Sequence, residues 1–271
     1  MSAAAPFGAA WTEVVGLDRP TLPFGGLRPG LVRLEVRRLL RNRRTLIFTM
    51  VAPAVFFLAF DLSSAYAANP YGRGNVSASV LISMALYGAV LATTSGGAMV
   101  SIERAVGWSR QLRVTPLRPA AYVATKMATS LVLGGTSVVV VYVVGLFTHK
   151  PSMPVWVWVV TGLSVWVGSL LFAAFGLFIG YLLPSENVMQ VIGFVLMLFS
   201  FGGGLFIPLS QLSSALRTFA TFTPLYGLSQ LVHFPLRTGG FDWTWVVNLV
   251  GWLAVFVGAA TWRFRTDTGR A

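Results

Sequence analysis

Residues Ile102–Pro119 read IERAVGWSRQLRVTPLRP, a short basic segment held between two long apolar runs. The first run ends near Ser101 and the second begins near Ala120. A basic loop between two apolar spans belongs on the cytoplasmic side of a membrane. The segment is too short to be a domain, yet it is organised. Glu103 and Arg104 open it, Gly107 follows, GWSRQLR has helical character, and Thr115-Pro116 stops it. This is the pattern of a protruding cytosolic elbow.

Composition fixes the class around that elbow. Hydrophobic residues make up 55% of the 271, and charged residues only 10%. Mean hydropathy is +0.73. A soluble domain carries about 25% charged residues, so this chain is read as an integral membrane protein. There is no cysteine, which excludes disulfides and thiolate metal sites. The first 28 residues lack the basic start and short apolar core of a cleavable signal peptide and read as a flexible tail. The net charge of +12 does not indicate nucleic-acid binding, because the basic residues sit at the edges of apolar runs. Anionic headgroups and membrane orientation account for that placement.

Windows of about 20 apolar residues mark spans. Six are expected, at about 45–62, 77–101, 120–147, 155–183, 187–207 and 243–262. With both termini inside, only Arg73, Lys150, Arg217 and Arg237 fall outside. The other sixteen of the 20 basic residues are then cytoplasmic. The N-in, C-in orientation follows.

Two stretches are neither spans nor plain loops. In Gly30–Arg44, Val32, Val36, Leu39 and Leu40 share one helical face, while Arg33, Arg37, Arg41 and Arg44 lie on another. This reads as an amphipathic interfacial helix over 29–44; a simple positive-inside anchor is the alternative. Between spans five and six, Gly202, Gly203, Gly204 and Pro208 cannot continue a helix. Ser210–Phe219 and Tyr226–Leu236 are then too short to cross. They read as a re-entrant hairpin over 208–240, dipping back from the outer face to form an outer gate. An ordinary outer loop is the alternative. The expected organisation is therefore a tail over 1–28, the interfacial helix, a six-span domain over 45–265, and a C-terminal tail over 266–271. The fold class is all-α.

No catalytic constellation is present. There is no GxxxxGK[ST] phosphate loop, so ATP cannot be held in that way. The eight acids, Glu13, Asp18, Glu35, Asp61, Glu103, Glu186, Asp242 and Asp267, sit at span ends or in tails. None is placed for a mid-membrane ion relay. His149 and His233 are far apart in sequence and both outside, so no metal site is expected. Glu186 follows Ser185 at the start of span five, consistent with a helix cap or with an ion pair to the elbow.

Ser79, Ser83, Tyr87 and Thr94 recur on one side of span two, and Met189, Gly193, Met197, Ser200 and Gly204 on one side of span five. Small and hydroxyl residues commonly mediate helix packing in lipid. The alternative reading makes Ser83, Tyr87, Thr94, Met197 and Ser200 candidate pathway lining for an amphipathic substrate. Gly176 and Gly180 form a GxxxG in span four.

These residues resemble the type-2 ATP-binding-cassette exporter permeases, including drug-resistance and lantibiotic-efflux permeases. The resemblance is carried by the basic entry helix, by the elbow residues Glu103, Arg104, Gly107, Leu112, Arg113, Thr115 and Pro116, and by GGGLFIPLSQL at Gly202–Leu212. It runs from about Leu31 to Arg265. Many relatives have a second acid after the elbow glycine, where Trp108, Ser109 and Arg110 stand here.

The resemblance implies a half-transporter; abundant Phe and Met with no buried charge favour an amphipathic or apolar cargo, a drug, lipid or peptide. Two copies would pair through spans one and five, with a homodimer preferred to a heterodimer, in the plasma membrane. A separate cytosolic ATPase would carry ATP and Mg, and this chain would bind no cofactor. Glu103–Pro116, with Arg110 among its charges, would be the coupling helix. The rival readings are an ion-coupled secondary transporter or channel, and a structural membrane subunit that transports nothing.

Overall fold

A computed structural model describes residues 29–41, 46–63, 65–107, 119–207, 209–211 and 213–269. In chain order the helices are α1 (Pro29–Leu40), α2 (Ala52–Ser63, entered through a π turn at Ile47–Val51), α3 (Val76–Ala105) and α4 (Pro119–Thr148). They continue with α5 (Val155–Gly168), α6 (Leu170–Leu182), α7 (Val188–Gly202), α8 (Ser214–Thr221), α9 (Pro224–His233) and α10 (Trp243–Gly269). The tail over 1–28 lies outside the described residues.

Four helical stretches are long and apolar enough to cross a membrane: Val76–Ala105, Ala121–Thr148, Val155–Leu182 and Trp243–Arg263. Expected spans one and five correspond to apolar helices that are shorter, Thr49–Asp61 and Val188–Gly202. The four long helices are therefore candidate membrane spans, and the two short ones are apolar helices beside them. Expected span four is not one regular helix. It breaks at Ser169, whose hydroxyl donates to the Trp166 carbonyl at 2.6 Å.

The fold is not wholly helical either. Pro70–Tyr71 pairs antiparallel with Gly74–Asn75 in a two-residue ladder, β1 and β2. Gly72 turns this hairpin at φ +59°, and a Cβ there would strike the Leu236 carbonyl, so both conformation and space demand glycine. The hairpin has no hydrophobic alternation to announce it.

Glycine contacts set the packing of the core. In α6, Gly176 lies against the Thr94 backbone of α3 and Gly180 against Ala98, while Gly97 of α3 abuts Ala173 and Leu177. The GxxxG thus serves a close contact between two helices of the same chain. Farther out on α3, Gly88 receives the Pro53 ring of α2, where an added Cβ would come within 2.9 Å. Pro53 has no N–H, so the Thr49 carbonyl one turn earlier loses its α-helical donor. The Ser137 hydroxyl of α4 donates to that carbonyl at 2.8 Å. Around these contacts Leu86, Phe172, Leu196, Leu225 and Leu228 are buried. Phe175 meets Phe256 of α10 at 5.0 Å between ring centroids.

Asn75 organises the N-terminal end of α3. Its side-chain oxygen accepts from Ala78 N at 2.9 Å and Ser152 N at 3.0 Å. Its amide donates to the Lys150 carbonyl at 2.8 Å. One side chain therefore caps α3 and fixes the α4–α5 linker. Loss of an N-cap costs about 1 kcal/mol, and each further buried bond left unmade adds about 1–3 kcal/mol. Asn75→Ala is expected to lower the melting temperature of the purified protein by several degrees, with Asn75→Asp recovering the cap but not the amide bond.

Candidate coupling site and outer cavity

α3 is 30 residues long, about 45 Å at ~1.5 Å per residue. The apolar core of a bilayer is about 30 Å thick. The helix therefore projects beyond it, and Glu103 and Arg104 belong to its last turn rather than to a free loop. Gly107 ends the turn at φ +74°, its N–H donated to the Arg104 carbonyl at 3.0 Å. A left-handed glycine just past a helix end is a stable terminator.

Glu103 is the centre of a buried ionic cluster. It is 3% exposed, as is Lys126, which sits about two turns into α4. Lys126 Nζ lies 2.6 Å from Glu103 Oε1 and 2.8 Å from Glu35 Oε2 of α1. Arg38 Nη1, also on α1, donates to Glu103 Oε1 at 3.1 Å. The Tyr122 hydroxyl donates to Glu103 Oε2 at 2.6 Å. Two carboxylates face two cations, so the cluster is neutral, and both oxygens of Glu103 are hydrogen-bonded. Ion pairs this buried hold only when geometry and hydrogen bonding are both satisfied. The consequence is mechanical: α1, the lower end of α3 and the start of α4 are tied at one point.

Arg104 makes the next tie. It donates to the Tyr181 carbonyl at 2.8 Å and the Gly180 carbonyl at 3.4 Å, with its guanidinium over the Tyr181 ring. These are carbonyls at the C-terminal end of α6, where a cation complements the helix dipole. The two charges that open the elbow therefore hold separate helices.

The remaining elbow residues Arg110, Leu112, Arg113, Thr115 and Pro116 lie outside the described residues, as do Arg44 and Pro208. Arg33 and Arg37 are exposed on α1, and Arg41 is exposed just past its end. That helix ends at Leu40 and is anchored to the bundle through Glu35 and Arg38. Neither of these two residues belongs to the expected basic face. Lys126 is a further member that sequence reasoning missed. A lone lysine early in a long apolar run is the signal that could have found it.

The opposite end of the bundle carries a second polar arrangement. Gly202 ends α7 and Gly204 adopts φ +73°, letting the chain turn towards α8 and α9. α9 is packed into the bundle, with Leu228 1% exposed; on α8, Leu216 is 56% exposed. His233, expected outside and apart, is 3% exposed. Its Nδ1 lies 2.8 Å from the Ser229 carbonyl, and its Nε2 lies 3.1 Å from the Ser83 hydroxyl. A carbonyl only accepts, so Nδ1 donates to Ser229, while Nε2 faces both the Ser83 hydroxyl and, at 3.3 Å, the Ser79 carbonyl. Ser83 and His233 border a cavity of about 480 Å³ that also reaches Gly204.

The other candidate lining residues are scattered. Tyr87 stacks edge-on with Phe206 at 5.2 Å. Thr94 is buried in the α3–α6 contact. Met197 is 52% exposed. Ser200 is buried and donates to the Leu196 carbonyl at 2.7 Å. Glu186 is exposed, and α7 starts from Asn187 with no side-chain cap, so the cap expected from Ser185 is not formed. Asp242 instead starts α10, accepting from Thr244 N at 2.9 Å. That bond holds its carboxyl below the usual aspartate range.

The architecture is a mostly helical bundle with four candidate membrane spans, tied at one end by a cluster of charged residues. The sequence profile of the ABC-2 type transporter family matches residues 30–233, and the chain belongs to that family. It is similar to the protein named "Putative transport permease YvfS" of Bacillus subtilis (strain 168), with 24% identity over 225 residues. That alignment covers 82% of this chain and 91% of the relative. The chain is thus of the transmembrane-subunit class of ATP-binding-cassette transporters.

Proposed function

We propose that this chain is one permease half of an ATP-driven exporter in the plasma membrane, moving an amphipathic or apolar substrate outward. The observation that carries the reading is the ionic cluster of Glu35, Arg38, Glu103 and Lys126. It makes α1, α3 and α4 respond as one body to a push on the elbow between Gly107 and Pro119. A cytosolic ATPase binding ATP and Mg supplies that push, and closure of its dimer rocks the elbow.

In this reading α2 and α7 complete six spans, with both termini inside, and form the faces through which two copies pair. Val55 and Phe56 on α2 and Phe194 and Leu198 on α7 are exposed apolar side chains available for such pairing. The α8–α9 segment is the re-entrant outer gate. An ion-coupled transporter would need an unpaired titratable group in a span, whereas the buried charges of the cluster neutralise one another.

The test is co-expression and co-purification with a candidate ATP-binding-cassette ATPase subunit. The permease alone is expected to show no ATP hydrolysis, and a stable complex with the ATPase should hydrolyse ATP. Turnover by the isolated chain, or failure to hold any ATPase subunit, would overturn the proposal.

A further inference from the structure

The outer cavity is unusual in its charge. Basic residues are depleted outside a membrane, and only four of the 20 here are expected there. Three of those four converge on one place. Arg217 and Arg237 line the cavity together with Ser83, Tyr226, Gln230 and His233. Arg73 braces the same turn, donating to the carbonyls of Pro235 at 2.9 Å and Arg237 at 3.1 Å. Among the described residues, no Asp or Glu lines the cavity.

Arg237 supplies the second observation. One of its terminal nitrogens donates to the Gln230 side-chain oxygen. Its Nε is buried and has no hydrogen-bond partner among the described residues. A buried donor of a charged group is normally satisfied. Ser79, Thr221 and Tyr226 line the same cavity. Guanidinium forks match phosphate and carboxylate oxygens in a planar geometry that lysine cannot supply. Leu209 and Gly204 at the same cavity leave part of its wall apolar.

We infer that this cavity binds the anionic headgroup, phosphate or carboxylate, of an amphipathic molecule at the outer face, with Arg237 and Arg217 as the recognising residues. What is bound does not depend on the export reading; that this molecule is the exported cargo does rest on it.

The purified full-length chain in neutral maltoside detergent can be titrated calorimetrically with dihexanoyl phosphatidylglycerol, dihexanoyl phosphatidylcholine and inorganic phosphate. Phosphatidylglycerol is expected to bind saturably and at least tenfold more tightly than either of the others. Arg237→Gln and Arg217→Gln should each weaken it about tenfold, and Arg237→Lys less than Arg237→Gln. Arg217 is exposed, so its variant keeps the test open if Arg237→Gln misfolds on size exclusion. Equal affinity for phosphatidylglycerol and phosphatidylcholine overturns the inference. So does binding unchanged in Arg217→Gln. Phosphate binding as tightly as phosphatidylglycerol also overturns it, because the site would then take a free anion. If the lipid binds selectively but the complex with its ATPase moves nothing, the inference stands and the export reading fails.

Discussion

Lys126→Met is expected to reduce the yield of monodisperse protein at least tenfold. The lysine is 3% exposed and sits between Glu103 and Glu35. Methionine fills similar volume but leaves the equally buried Glu103 with its charge facing only Arg38 and the Tyr122 hydroxyl. Breaking a buried pair from one side costs about 3–5 kcal/mol. That is comparable to much of a domain's net stability of about 5–15 kcal/mol. Adding Glu103→Gln to Lys126→Met removes the stranded charge and should recover part of the loss. Fluorescence-detected size exclusion of tagged protein reads both outcomes. Equal yields for wild type and Lys126→Met would show that the cluster holds nothing together.

Gly176→Leu should be as damaging for a different reason. A Cβ at that position meets the Thr94 backbone, and backbone cannot swing aside as a side chain can. Overpacking of this kind costs about 1–3 kcal/mol, more where nothing can yield, and here α3 and α6 would be forced apart along the core. At Gly251 on α10 an added Cβ would meet nothing within 4 Å, so Gly251→Leu is the matched control. The melting temperature should fall by about 10 °C or more for the first and by under about 2 °C for the second, at a few degrees per kcal/mol. Equal shifts would mean that the α3–α6 contact is not the tight one.

The membrane class, the approximate helix positions and the helix that opens at Pro29 are legible in the sequence because each is a local pattern. Hydropathy reports long apolar runs directly, and four of the six expected spans coincide with helices long enough to cross. Gly107 and Gly202–Gly204 are legible as breaks because glycine tolerates left-handed backbone, which Gly107 and Gly204 adopt. Pairing across distance is what does not show. Lys126 and Glu103 are 23 residues apart and Lys126 and Glu35 are 91 apart, so each looks like an ordinary charge at a span end. Ser83 and His233 are 150 residues apart. A histidine counted as outside gives no sign that a turn at Gly204 and the burial of α9 carry it to α3. The β1–β2 hairpin is two residues per strand, too short for any period. The Ser169 break sits in an unbroken apolar run, where hydropathy is blind to backbone geometry.

If a separate ATPase moves the permease through the charged cluster at its cytoplasmic end, nucleotide must change the spacing of the paired subunits. The chain has no cysteine, so a single Phe194→Cys on α7, where Phe194 is exposed, can carry a spin label. Pulsed electron spin resonance then reads the inter-subunit label distance in the reconstituted complex, with and without ATP and Mg. Two labels should lie within range, and their distance distribution should shift with ATP only when the ATPase is bound. Arg38→Gln, which loosens α1 but keeps the Glu103–Lys126 pair, should reduce that shift while ATP hydrolysis persists. A distance indifferent to ATP, or a full shift in Arg38→Gln, would show that the cluster does not transmit the motion.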